Sequence, residues 1–369
     1  MPEVSALAAK VLLAAFFLSF VFGAIAQRTH FCTMGALSDA YNMGDTMRLR
    51  QWALAAGVAI VGFWALAAAG QIDPAKTLYS GNRWIWLSAI TGGLFFGFGM
   101  VLASGCGSKN LVRLGSGNLK ALVVFLVLGV SAFATLKGIT GVLRVNTVDK
   151  IAFDFPAPAL LPVGIASLGG FSLQAAGLVT ALVLGGGLAL WALAGRGFRT
   201  FDNLLAGVGV GAVIVAAWWV SGHLGHLAEH PETLEEAFLA TNSGRAEALS
   251  FVSPIAYTLD WLMFFSDKSK LLTVGIVSVA GVIAGSFAMA LAGRDFRWEG
   301  FGSTEDVANH LAGGLLMGVG GVTAMGCTIG QGLSGLSTLS ATSFVAVAGI
   351  VLGAIAAFRY QMWRVERMG

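Results

Sequence analysis

Long apolar runs separated by short polar connections dominate this chain. Nine runs approach the roughly 20 residues that a helix needs to cross a bilayer. They cover about 7–26, 51–70, 84–104, 120–138, 173–194, 203–221, 271–292, 308–325 and 342–359. The first run contains Lys10 and closes on Ala24-Ile25-Ala26, in the manner of a secretion signal with a small-residue cleavage site. We read it as a retained span, because removing it would leave the first half without a partner for the run at 173–194.

The polar connections carry their own expectations. Within Gln27–Gln51, the stretch Phe31 to Tyr41 is apolar enough to form a short helix returning to the membrane. Asp73-Pro74 marks a turn. Gly107–Gly117 is again short, and 139–172, with Pro156, Pro158 and Pro162, reads as a structured surface connection. The longest polar stretch is 222–270, where Thr233 to Leu249 suits an amphipathic helix outside the bilayer. Its His223, His226 and His230 share the spacing of one helical face, read as a solvated face or else a peripheral metal site.

Composition sets the class. The chain has 369 residues, 56% hydrophobic and 11% charged, with a mean hydropathy of +0.80. Soluble domains carry about 25% charged residues, so this is an all-α polytopic membrane protein. A net charge of +3 is too small to suggest nucleic acid. Three cysteines in so long a chain do not make a disulfide scaffold, and no CxxC spacing points to a metal. No cofactor is expected, and no nucleotide-binding P-loop is present. On alternate sides of the nine spans, one side collects 13 of the 22 Lys and Arg. The positive-inside rule then puts the N-terminus outside and the C-terminus in the cytoplasm.

The strongest signal is an internal duplication. Gly92 to Cys106 reads GGLFFGFGMVLASGC, and Gly313 to Cys327 reads GGLLMGVGGVTAMGC. At a constant offset of 221 residues, nine of these fifteen positions are identical. In the nine-span topology the two copies run in opposite directions. Inverted repeats with broken helices meeting near the midplane are a transporter architecture. The expected pseudo-repeat halves are about 1–157 and 158–369 of a single transmembrane domain.

Each copy ends in Gly-Cys and opens a second short helix. A break inside the membrane is tolerated where protein or a water-filled cavity satisfies the freed amides. The new helix start presents unpaired N–H groups suited to an anion. Around Gly105, Cys106 and Gly107 the candidates are Ser108, Lys109 and Asn110. Around Gly326 and Cys327 they are Thr328, Ile329, Gly330 and Gln331. A lone buried cysteine is otherwise a small core residue, and for Cys32 both readings stay open. Arg28, Arg48, Lys109 and Arg113 either form a basic vestibule or only set topology. Glu305, Asp306 and His310 either cap a helix or couple a proton to transport.

The run Gln27-Arg28-Thr29-His30-Phe31-Cys32, together with GFGMVLASGCG through Cys106 and GVGGVTAMGCTIGQG through Cys327, resembles the YeeE/YedE family of bacterial inner-membrane proteins. The similarity spans essentially the whole chain. It implies an hourglass-shaped fold of nine spans with short non-crossing helices, thiosulfate import, and a path lined by Cys32, Cys106 and Cys327. It also implies a small cytoplasmic sulfur-carrier protein as partner, besides membrane lipid. Relatives linked to selenium or other sulfur compounds leave another substrate open.

The chemistry is coherent. Thiosulfate pairs a soft terminal sulfur with sulfonate-like oxygens. Helix N-termini suit the oxygens, and a neutral thiol can donate a weak S–H hydrogen bond to the sulfur. Weak sequential contacts suit a conduit that must release what it binds. Two rivals remain: a membrane enzyme that transfers sulfur through a persulfide on Cys106 or Cys327, and a scaffold docking soluble sulfur-handling proteins. We expect a transporter rather than an enzyme.

Overall fold

The computed structural model describes residues 2–368. The first helix, α1 (Pro2–Thr29), is followed by the short α2 (Thr33–Ser38), which runs into a π-turn at Asp39–Met43. Then come α3 (Met47–Ala68), α4 (Trp86–Leu102), the short α5 (Gly107–Gly115) and α6 (Leu119–Lys137). The short α7 (Ile139–Asn146) and α8 (Leu161–Gly169) lead to α9 (Leu173–Leu193) and then to α10 (Phe201–Leu204) and α11 (Val210–Trp219), joined by a π-turn. The remainder is α12 (Val252–Met263), α13 (Val274–Gly293), α14 (Thr304–Thr323), a π-helical turn at Gly330–Gly335 and α15 (Ala341–Met368).

Among the described residues, eight helices are long and apolar enough to cross a membrane. The ninth expected span corresponds to α14. It has 20 residues, but Glu305, Asp306, Asn309 and His310 lower the apolarity of its first turns. Ser303 caps it, accepting from the Asp306 amide at 3.1 Å. The Asp306 carboxylate holds Lys120 at 2.9 Å and His310 at 3.0 Å, tying the start of α14 to the start of α6.

The centre is a packing of glycine faces. Helices α4 and α14 cross in opposite directions, with Gly92 against Gly320 and Gly99 against Gly313. A Cβ added to Gly92 would stand 2.6 Å from the Gly320 carbonyl oxygen, and one added to Gly313 would stand 2.6 Å from that of Gly99. Adding 221 to the first-copy residue and subtracting 221 from the second-copy residue turns one contact into the other, so the duplicated segments meet about a local two-fold axis. On their outer faces, Gly93 and Gly97 seat α4 against Ala346 and Ile350 of α15. Gly314 and Gly318 seat α14 against Val127 and Leu128 of α6 in the same manner. Lipid supplies no hydrophobic drive between helices, so close backbone approach is what holds such a crossing together.

The connection 139–172 is structured as expected, holding α7 and α8, whereas the longest connection departs from expectation. The helix expected over Thr233–Leu249 does not form. Instead β3 (His226–Leu227) pairs antiparallel with β4 (Ala237–Phe238), and a second antiparallel pair joins β1 (Arg83–Trp84) to β2 (Phe153–Asp154). Pro231 and the turn sequence Thr241-Asn242-Ser243-Gly244 interrupt any helix, and Leu234, Ala240 and Gly244 all take left-handed backbone angles. Leu239, Ala246 and Leu249 are buried under this connection. The three histidines therefore lie on different elements rather than one helical face, and His226 is held by Glu236 at 2.6 Å. The helix in this region comes later, as α12.

Candidate functional site

One local device occurs three times. A long helix ends, a residue enters the left-handed region, one residue intervenes, and then a cysteine opens a short helical segment. The left-handed residues are His30, Ser104 and Met325, with φ of 53°, 55° and 57°. Each costs about 1 kcal/mol relative to glycine and stands two positions before Cys32, Cys106 or Cys327. In the duplicated copies the closing hydrogen bonds match. Gly105 N–H donates to Met100 at 2.8 Å and Gly326 N–H donates to Gly321 at 2.8 Å. The amides of Ser104 and Met325 reach Val101 and Val322 at 3.2 and 3.1 Å. This paired pattern is a Schellman end, which satisfies the last carbonyls of α4 and α14 while turning the chain toward the cysteine.

Each cysteine stands at the start of its short segment. The Cys32 sulfur accepts from the Gly35 amide at 3.3 Å, and the Cys327 sulfur accepts from the Gly330 amide at 3.4 Å. In both, the sulfur takes the place of an N-cap oxygen. Cys106 differs, its sulfur lying 3.2 Å from the Ser108 hydroxyl. All three thiols are free and buried, at 9%, 1% and 0% exposure in chain order. Cys106 lies near enough to both Cys32 and Cys327 for their charges to interact. The Phe251 amide also faces the Cys327 sulfur, and the Phe251 side chain sits opposite Gly107.

Two amides hold the breaks open. Asn110 Nδ2 donates to the carbonyls of Gly105 and Cys106 at 2.8 and 3.1 Å. Its counterpart at the 221 offset, Gln331, donates from Nε2 to Ala324 at 2.6 Å and accepts from Ser343 at 2.6 Å. Gln331 is thus engaged by the protein at both ends, a positioning residue rather than a free donor. Gly105 packs against the Lys109 stem and Gly326 against Gln331. Lys109 faces Cys32 and Cys106 with Arg113 and Arg48 nearby. Arg113 donates to the Ser104 carbonyl at 3.1 Å. Thr328 is buried with its hydroxyl unpartnered. Arg28 turns elsewhere: it pairs with Asp202 at 3.0 Å and lies over Phe201.

Water-accessible space approaches Cys327 from the end where α1 begins. A recess of about 890 Å³, lined by Ser5, Lys137, His230, Tyr257 and Lys270, adjoins a cavity of about 330 Å³ at Asn242 and Tyr257. The inner cavity reaches Arg144, Glu247, Ser250, Thr323 and Met325, the last only two residues before Cys327. Burial pushes the Glu247 carboxyl above the usual carboxylate range. Ser250 and Tyr79 place their hydroxyls against Gly330. Sequence reading missed Phe251, Ser250, Tyr79 and the Asn110 clamp as a structural pair; only the 221-residue offset, carried four positions past the cysteine to Gln331, could have exposed the clamp.

The defining pattern of the sulphur transport family matches residues 28–356, nearly the whole chain and all three cysteine turns. The chain belongs to this family. Among curated relatives it is 26% identical over 339 residues to the thiosulfate transporter TsuA of Escherichia coli (strain K12), covering 90% of this chain and 89% of that protein. It is likewise 26% identical over 348 residues to the thiosulfate transporter TsuA of Spirochaeta thermophila, covering 90% of this chain and 94% of that one. Family membership and eight apolar helices make the chain a multi-pass membrane protein of sulfur transport.

Proposed function

We propose that this protein imports thiosulfate across the bacterial inner membrane, passing it along Cys327, Cys106 and Cys32. The observation that carries this reading is the placement of three buried, free thiols, each opening a short helical segment, with Cys106 in electrostatic range of the other two. Two relatives named as thiosulfate transporters support the substrate. The neutral thiol serves as the hydrogen-bond donor to the terminal sulfur. At Cys32 and Cys327 a backbone amide already occupies a sulfur lone pair, leaving the S–H free to point at a passing ligand. The anion leaves the inner cavity at Met325 and meets Cys327 first; Lys109, Arg48 and Arg113 receive it beyond Cys106. The N-terminus lies outside, the C-terminus in the cytoplasm, and the two halves form an inverted repeat.

Carrying a dianion into a negative interior costs about 4.6 kcal/mol per 100 mV, twice the single-charge value. Removal of the sulfur by a small cytoplasmic carrier protein supplies the missing drive. The test is uptake of labelled thiosulfate by the purified protein in liposomes, with sulfate as competitor. Wild type is expected to take up thiosulfate unaffected by sulfate, and Cys106→Ala to lose at least tenfold of that rate. Equal uptake by Cys32→Ala, Cys106→Ala and Cys327→Ala would reduce the thiols to packing. A stable persulfide on Cys106 or Cys327 after turnover, seen by mass spectrometry, would replace the conduit with sulfur transfer.

A further inference from the structure

At the end of α9 farthest from the outer cavities, three arginines converge on a tight glycine-containing turn. A shallow recess of about 440 Å³ is lined there by Leu193 to Gly197, Arg199 and Thr200. Arg50 reaches it from α3, since a Cβ on Gly195 would press 2.7 Å from the Arg50 side chain. Arg50 donates to the Trp191 carbonyl, and Arg199 donates to the Leu193 carbonyl at 3.1 Å. These bonds cap the last turn of α9 with one N–H group each, and Arg50 Nε also donates to the Thr46 hydroxyl at 3.3 Å, so most of the five donors of each guanidinium remain. Among the described residues, no carboxylate pairs with Arg50, Arg196 or Arg199. The nearest acid along the chain, Asp202, is already held by Arg28.

The surroundings say what would neutralise these charges. The outer face of α9 is apolar and exposed, with Val179, Val183 and Leu190 at 62%, 65% and 70%, as a lipid-facing surface must be. That face ends at Trp191, whose ring lies 4.4 Å beneath the Arg50 guanidinium. Next to it Arg28 lies 5.2 Å over Phe201. Aromatic rings at the end of an apolar face mark the headgroup level, and cation–π stacking keeps the guanidinium plane fixed there. Planar arginine donors match phosphate oxygens.

We propose that this recess binds the phosphate headgroup of an anionic phospholipid, with Arg196 and Arg199 on the phosphate, Arg50 behind them and the acyl chains along α9. Such a lipid would brace α9, which otherwise packs mainly on α3. The chemistry is that of a phosphate oxyanion, so the experiment must separate lipid from free phosphate.

The full-length protein in detergent micelles would be titrated with phosphatidylglycerol, with phosphatidylcholine and with inorganic phosphate at equal ionic strength. Thermal unfolding and native mass spectrometry would be read together. Phosphatidylglycerol is expected to raise the unfolding midpoint and survive as a bound adduct, while the other two do neither. Arg196→Gln with Arg199→Gln should weaken lipid binding at least tenfold. Arg196→Gln alone, which disturbs no helix-capping bond, should weaken it roughly fivefold and guards against misfolding of the double variant. Unchanged lipid affinity in the variants overturns the proposal. Equal stabilisation by inorganic phosphate makes the recess a free-anion site, and equal binding of phosphatidylcholine makes it an acyl-chain groove; both overturn it. Indifference to every lipid overturns it too, and is the result expected if the arginines dock a soluble acidic protein instead.

Discussion

The two glycine–cysteine copies share a frame and differ in the segment beyond it. Up to the cysteine they match in every backbone hydrogen bond that ends the helix. Past the cysteine, the first copy forms the nine-residue α5 and carries Lys109, while the second makes a single π-helical turn with Gly330 at the matching position. Lys109 looks toward Cys32, Arg48 and Arg113; Gly330 lets in the hydroxyls of Ser250 and Tyr79. All six residues of the second turn are buried, and Ser334 anchors it to the Leu249 carbonyl at 2.7 Å. Symmetry thus builds the crossing, and its departure gives the two sides different chemistry: cations at one end, neutral hydroxyls at the other.

The comparison breaks most completely at the crossing itself. Gly92→Leu and Gly313→Leu place side chains into facing backbone carbonyls, and each should cost several kcal/mol. Both variants should fail to yield monodisperse protein in micelles, and to the same degree, because the contacts exchange under the repeat. Normal yield of either would remove the two-fold packing argument.

The asymmetric position comes next. Lys109→Met deletes the cation beside Cys106 and should raise the KM for uptake roughly tenfold, the size of a lost charged contact, with folding intact. An unchanged KM would mean that the anion never meets Lys109. The reverse exchange, Gly330→Lys, should not fold, since Ser250 occupies the space its side chain needs.

A subtler pair tests the clamps. Asn110→Ala leaves the Gly105 carbonyl and Gln331→Ala the Ala324 carbonyl without its side-chain donor, an expected loss of about 1–2 kcal/mol. Thermal unfolding should show similar drops for both, with the Gln331 variant somewhat the lower because Ser343 also loses its partner. Midpoints equal to wild type would show the amides to be dispensable.

The smallest effect lies outside the membrane. Lys76, and after it His226, hold the Glu236 carboxyl below the usual carboxylate range. A depressed folded value stabilises above the unfolded value and is lost as pH falls through the folded one. The β3–β4 connection should therefore loosen only in acid, below the ordinary range for glutamate. Hydrogen exchange over 225–240 would register this, and Glu236→Gln should abolish the pH dependence; exchange that is flat with pH in wild type would refute it.

Much of this architecture is legible in the residues. Apolar runs locate the spans, because a segment in lipid must satisfy its own backbone and so shows its length and hydropathy openly. The duplication exposes both cysteine breaks, and the apolar character of Phe31 to Tyr41 marks the short segment after Cys32. The connection at 222–270 departs from the amphipathic helix expected over Thr233–Leu249 because Pro231 and Gly244 compete with it, and turn chemistry prevails. Nor does anything near Cys32 announce that His30 repeats the left-handed turn of Ser104 and Met325, since none of these residue types is a usual helix stop.

What the sequence by itself determined is the class of molecule, the spans and the antiparallel copies, all properties of local composition and internal repetition. What only the tertiary structure decided is which groups meet. Phe251 comes against both Gly107 and Cys327, Gln331 turns back on Ala324, and Cys106 comes near both other thiols. Those meetings depend on how closely backbones approach at glycines far apart in the chain, and no local pattern encodes that distance.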